Sequence, residues 1–279
     1  NIFRYNTINV TGTGFDNEGM SFTTGNNDSL MAFNNLTMTT GGVENLTDFG
    51  ILVEIDSHNN TVDNNIVILD NGPGIQVNAP GTGNIVTNNI FQITNGSAMQ
   101  AGGGVTNLDL INNTVLTDNG RGLDLFGSGS SQIRVRGNNI TTNGTAGFYI
   151  GIFASDTIDV NITDNTISAN GASESQGVRM VTASNTLVQN NTIFTNGAFE
   201  DYPIILLGGN TYAIKDNFLE QQPAGSSDGL RLESANGTLL DNNTIGNYSA
   251  QAIHLINSLN TTILNSIIPN TFGYSLTIE

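Results

Sequence analysis

The chain has 279 residues, 24 acidic against 7 basic side chains, a net charge of −17, and neither cysteine nor tryptophan. Such acidity excludes a nucleic-acid backbone or an anionic lipid surface as partner, and the lack of cysteine excludes disulfides and thiolate metal sites. No apolar run approaches the roughly 18 residues of a membrane-spanning helix, so no membrane insertion is expected. The opening NIFRYNTINV carries no methionine and no signal peptide, as in a mature secreted protein or a segment cut from a longer one.

From the N-terminus onward one pattern recurs, Asn–x–Ile/Val/Leu/Phe. Its Asn falls at Asn6, Asn34, Asn64, Asn88, Asn113, Asn138, Asn165, Asn191, Asn243 and Asn265, with Asp216 in the same slot of IKDNF. The spacing runs from 22 to 30 residues, the mark of a solenoid. Each period holds a second apolar segment, usually opened by Gly: GILVEI at 50, GIQV at 74, GLDL at 122, GFYI at 147, GVRM at 177 and GLRL at 229. PIIL at 203 and AIHL at 252 fill that slot without Gly, and a third short run such as QIRVR (132–136) or NTLVQ (185–189) precedes the Asn. All three are short, β-branched and bounded by Gly, Asn, Asp and Ser, which predicts three strands per coil and no helix.

The Asn has a geometric reason. It tolerates the left-handed backbone needed where one strand turns sharply into the next. In stacked coils about 4.8 Å apart its amide can also bond its counterparts. A structural Asn ladder is therefore expected through Asn64, Asn88, Asn113, Asn138, Asn165, Asn191, Asn243 and Asn265.

The NNTI…NG…GIxL pattern resembles the right-handed parallel β-helix superfamily, the pectin-lyase-like proteins, over essentially the whole chain. The resemblance implies an all-β, single-stranded right-handed parallel β-helix of ten or eleven coils, one domain over 1–279, about 50 Å long at the strand spacing. That superfamily includes polysaccharide lyases, hydrolases and epimerases, phage tailspikes, adhesins and copper-site maturation proteins. Its enzymes keep their sites on the outer side of the Gly-led strands, here called the first face. The paired Asp, Gly-His-Gly and Arg-x-Lys of polygalacturonases are absent from this sequence, as is the Asp-Pro-His of alginate epimerases.

If the residue after each Gly points inward, the outward column of the first face includes Leu52, Gln76, Asp124, Tyr149, Arg179, Ile205, Arg231 and His254. Asp124, Tyr149, Arg179, Arg231 and His254 are the ligand-binding candidates, since acid, phenol, guanidinium and imidazole together suit a sugar groove. EIDSH at 54–58 offers a second candidate. On a strand, Glu54 and Asp56 would share one face about 6.6 Å apart, near the roughly 6.5–9.5 Å of inverting glycosidases. Glu54, Asp56, Arg179 and Arg231 are thus the catalytic candidates. A lyase would add Ca²⁺, for which Glu200, Asp201 and Asp228 in the loops NGAFEDYP and QQPAGSSDG supply carboxylates; no other cofactor is expected. Each reading has a plain structural counterpart, a solvated face for the column and ordinary turn chemistry for EIDSH and the loops.

His58 and His254, the two histidines, lie about eight coils apart, which disfavours copper or zinc. Arg134 stands one coil above Asp109, the arrangement of a structural ion pair. Sequons such as those at Asn190 and Asn242 arise from the NNT repeat itself. Neither end reads as a cap, which predicts a segment of a longer fibre or end-to-end or lateral self-association.

Two functional classes follow. The first is an extracellular or cell-surface solenoid of structural or adhesin type, offering its first face to a polysaccharide or to a host or neighbouring surface protein. The second is a polysaccharide lyase, glycoside hydrolase or epimerase with its site on that face. An enzyme should gather polar outward residues in three or four adjacent coils, and a stalk should not.

Overall fold

The computed structural model describes residues 1–12, 17–39, 48–145, 148–222, 227–269 and 273–279, with Phe148 through its backbone alone. Among them every regular element is a strand, and successive coils pair in parallel over about ten turns. One coil illustrates the three faces. The strand Glu174–Val181 forms the first face, Ser184–Gln189 the second and Thr192–Asn196 the third. Third-face strands make a ten-stranded sheet, and the first and second faces belong to one sheet of 21 strands.

Separate short strands on every face were expected. In the middle coils, however, Leu123–Arg136 and Phe148–Thr163 run through the corner between the first two faces unbroken. Gly127 and Gly129 in one, and Asp156 and Asp159 in the other, take positive φ there and bend the strand. Rung-to-rung pairing on either side keeps the strand assignment continuous.

The interior is two facing aliphatic stacks. Ile140, Ile167, Ile193, Leu219 and Ile245 follow one another in register on the third face. Ile152, Val178, Ile204, Leu230 and Ile253 do so on the first. All are at most 1% exposed, and burying each such side chain contributes about 1.5–3 kcal/mol. In most coils a first-face glycine marks a close approach of the two stacks. A Cβ on Gly177 would meet Ile193 Cγ2 at 2.2 Å and Pro203 O at 2.5 Å, so no larger residue fits without displacing the facing isoleucine.

At the turn between the second and third faces two adjacent residues share the work that the sequence pattern assigned to one. The ladder runs Asn6, Asn34, Asn65, Asn89, Asn113, Asn138, Asn165, Asn191, Asn217, Asn243. Asn165 is typical. Its backbone N–H and its Nδ2 both donate to Asn191 Oδ1, at 3.0 and 2.9 Å, and Nδ2 also donates to Val135 O at 2.9 Å. The preceding residue supplies the left-handed turn: Asn64, Asn88, Asp164, Asn190, Asp216, Asn242 and Asn265 all have φ between 48° and 59°. Asn64, Asn88 and Asn265 are therefore turn residues, not ladder rungs; Asn65 and Asn89 take the ladder positions, and Asn217 rather than Asp216 takes its own. Asn113, Asn138, Asn165, Asn191 and Asn243 stand where expected.

Candidate functional site

Strand register defines the outer column of the first face. It reads Ser21, Leu52, Gln76, Gln100, Asp124, Phe153, Arg179, Ile205, Arg231, His254 and Thr277, one residue per rung. Asp124, Arg179, Arg231 and His254 lie on it as expected. Tyr149 does not. The glycine that faces the third-face stack in that coil is Gly151, within the strand, and Gly147 lies outside the described residues. Phe153 faces outward instead, and Tyr149 is 1% exposed, its ring packed over Gly144 and Gly171.

From Asp124 to His254 this column is polar or aromatic except at Ile205, and in several coils the residue three positions upstream packs against it. Arg121 Nη1 bonds Asp124 Oδ1 at 2.8 Å and lays its guanidinium 4.1 Å from the centroid of the Phe153 ring. Burial pushes the Asp124 carboxyl above its ordinary range, with Arg121 opposing that effect. Two rungs on, Arg179 Nη1 reaches Gln176 Oε1 at 3.2 Å, and Glu174 and Glu200 are the acids near it. Burial, then the charge of Glu200, raises the Glu174 carboxyl, while Arg179 lowers it.

Arg231 sits two rungs beyond Arg179, about 9.6 Å at the strand spacing. Its Nη1 donates to Tyr202 Oη at 3.2 Å, its Nη2 to Glu233 Oε2 at 3.1 Å, and its guanidinium lies 5.7 Å from the Tyr202 ring centroid. Burial raises the Tyr202 phenol despite the opposing Arg231 charge, so it remains a proton donor at neutral pH. On the next rung His254 Nδ1 lies 2.9 Å from Asp228 Oδ2, and both residues are under 10% exposed. His254 Nε2 is 3.5 Å from Glu279 Oε1, beyond which it has no hydrogen-bond partner. Three of the seven basic residues, Arg121, Arg179 and Arg231, thus share one strip of a strongly acidic protein. The Nε atoms of Arg179 and Arg231 are buried, without a hydrogen-bond acceptor among the described residues.

The other sequence candidates separate. The strand that was to pair Glu54 with Asp56 ends at Val53, and Asp56 takes φ 57° in the turn beyond it. Glu54 Oε2 accepts from Thr24 N at 2.8 Å and Thr24 Oγ1 at 2.7 Å, a coil-to-coil clasp rather than half of a carboxylate pair. His58 Nδ1 accepts from Thr82 N at 3.2 Å in the same turn. Glu200, Asp201 and Asp228 do not converge: Glu200 is exposed, Asp201 is fully buried, and Asp228 is engaged by His254. Residues 223–226 of the loop before Asp228 lie outside the described residues. Among the described residues no group of three His, Cys, Asp or Glu side chains could hold a metal ion, and no helix is long and apolar enough to cross a membrane. Arg134 and Asp109 form the expected ion pair on the second face, with Nη2 to Oδ2 at 2.7 Å. The sequence reading missed Arg121, Phe153, Gln176 and Tyr202, because a column argument alone does not reveal which upstream side chains fold over it.

Residues 116–219 match the family model described as the right handed beta helix region. No curated protein is significantly similar to the chain in sequence. Among solved structures, the surface protein and adhesin PfbA of Streptococcus pneumoniae is 12% identical with a TM-score of 0.66, the match covering 99% of this chain and 90% of that one. The periplasmic alginate epimerase AlgG is 13% identical with a TM-score of 0.58, covering 98% and 77%. The Dettilon tailspike protein is 10% identical with a TM-score of 0.53, covering 96% and 62%. Likeness at these identities shows the fold. The coil geometry, the match over residues 116–219 and these neighbours together show the fold, a right-handed parallel β-helix.

Proposed function

We propose that the outer first face from Asp124 to His254 binds a carboxylate-bearing polysaccharide, on an extracellular or cell-surface solenoid of structural or adhesin type. The carrying observation is the pair Arg179 and Arg231. Both are half-buried two rungs apart on the outer column, and the Arg179 guanidinium is held by the neutral Gln176 rather than by an acid. A guanidinium in that state gains most from a planar anion that accepts two hydrogen bonds. Phe153 lies one rung before Arg179, where a sugar ring could stack. A surface adhesin and an alginate-acting enzyme among proteins of similar fold support the same reading.

Calorimetric titration with a polyuronate and with a neutral glucan tests it. Binding of the polyuronate should weaken at least tenfold, about 1.4 kcal/mol, in Arg179→Ala and in Arg231→Ala, and should fall as salt rises. Chelators should leave it unchanged, because the carboxylates considered for Ca²⁺ do not converge. Failure of every acidic polymer to bind, or binding indifferent to both substitutions, would contradict the reading.

One observation favours an enzyme as the second reading. Asp228 orients His254 as a base beside Arg231, which would neutralise a uronate carboxylate, and Tyr202 supplies a protonated phenol on the adjacent rung. On this reading His254→Ala abolishes release of unsaturated or epimerised product while polymer binding persists. Wild-type protein that binds but never turns over a bound polymer would leave the adhesin reading standing.

A further inference from the structure

The inner side of the same coils holds a group that neither reading uses. The strand Phe199–Leu207 contains one extra residue relative to its neighbour: pairing shifts between Glu174/Phe199 and Gln176/Tyr202, and Glu200 takes φ 42°. That bulge turns the next side chain, Asp201, into the interior corner, where it is 0% exposed. Equivalent positions in the adjacent coils carry Tyr149, Ser175 and Ser227; the Ser227 Oγ accepts from Asp201 N at 3.1 Å. Asp48, also buried near the N-terminal end, has its Oδ1 bonded by Asn17 N and Nδ2 at 2.8 and 2.9 Å.

Asp201 has no such support. Among the described residues neither carboxyl oxygen has a hydrogen-bond partner, and the Gln221 Oε1 and Thr195 Oγ1 beside it are equally unpartnered at 1% and 2% exposure. An ionised carboxylate cannot satisfy this set, because it and Gln221 Oε1 are both acceptors. A single added proton can satisfy it. We propose that Asp201 is a neutral carboxylic acid in the folded protein, donating to Gln221 Oε1 while Thr195 Oγ1 donates to its second oxygen, and that losing this proton to solvent loosens the coil. The solenoid thereby carries an internal proton switch beneath its first face, with Tyr202 and Ile205 on the same strand.

Burial pushes this carboxyl up to about 7, the polar groups around it being too poorly aligned to hold its charge. Among the described residues no charged side chain contributes to that shift. Glu200 on its own strand is exposed, the Tyr202 hydroxyl accepts from Arg231, Glu174 on the preceding coil lies near Arg179, and Asp228 on the following one is engaged by His254. Tyr248 is buried one coil further on, its hydroxyl without a hydrogen-bond partner among the described residues. The sign follows. An unfolded Asp ionises near pH 4 while the folded one holds its proton to about 7, so the group costs stability as pH rises between those values and adds no further loss above them.

The test compares wild type with Asp201→Asn, whose amide is neutral at every pH, by denaturant unfolding from pH 4 to 9. The ratio of wild-type to variant unfolding constants should rise roughly tenfold per pH unit between about pH 4 and 7, then level off. A ratio flat or falling over that range would overturn the proposal. So would stabilisation of wild type, but not the variant, by Na⁺, K⁺ or Ca²⁺ at constant ionic strength and pH 8, since a cation would then replace the proton. If the variant does not fold, carboxyl ¹³C resonances of Asp-labelled wild type decide. Asp201 should remain protonated at pH 6, and an ionised Asp201 at pH 5.5 would overturn the assignment.

Discussion

Consecutive residues at each turn divide two requirements, left-handed backbone and a stacked amide, and the division is visible in Asn190 and Asn191. Asn190 is exposed with φ 55°, and its Nδ2 reaches Asp164 Oδ1 at 2.7 Å. Asn191 is 1% exposed, and its amide bonds Asn217 Oδ1, Ile162 O and Gln189 O. Asn191→Ala should therefore destabilise the protein by about 1–3 kcal/mol in urea unfolding, since buried donors and acceptors in three coils lose a partner. Asn190→Gly should change stability by no more than about 0.5 kcal/mol, because glycine adopts positive φ freely. Equal losses at the two positions would contradict this division. The sequence pattern blurred it at Asn64 and Asn65 for a physical reason. Ile66 is apolar but 38% exposed on the third face, while Val67 is the buried one, so either Asn could be read as two residues before a core position.

At the scale of one coil, the glycine column sets the distance between facing stacks. Gly177→Ala should cost about 1–3 kcal/mol by overpacking, and Ile193→Val, which trims the facing side chain, should recover part of that loss in the double variant. Additive losses would place the strain elsewhere. The Gly-led strands were legible in all but one of the coils that begin with glycine after residue 120. Gly177 precedes Asn191, and Gly229 precedes Asn243, by fourteen residues, and Gly151 precedes Asn165 by the same interval. That spacing selects GIFA over GFYI, and with it Phe153 over Tyr149. The end of the strand at Val53 was harder to read, because Glu54 and Ile55 continue its alternation and only the left-handed Asp56 breaks it. The Glu54–Asp56 pairing failed there, on a turn whose carboxylate is taken up by a neighbouring coil.

For the whole molecule, repetition made the fold legible while the site stayed half hidden. Stacked coils repeat core chemistry, so Ile, Val, Gly and Asn announce the solenoid. Arg121, Gln176 and Tyr202 occur once each at positions where other coils carry unrelated residues, and only the register brings them over the column. The net charge of −17 is spread along the solenoid and resists compaction. Raising NaCl from low to physiological ionic strength should therefore raise the thermal midpoint, and a midpoint that falls with salt would mean that ion pairs such as Arg134–Asp109 outweigh the repulsion.

The first face is the center of the functional account, and diffraction from crystals of the protein soaked with a short oligouronate tests it most directly. Sugar density is expected along the strip from Asp124 to His254, with carboxylates against the guanidinium groups of Arg179 and Arg231. Density confined to another surface, such as the exposed Phe194–Phe218 pair on the third face, would contradict it.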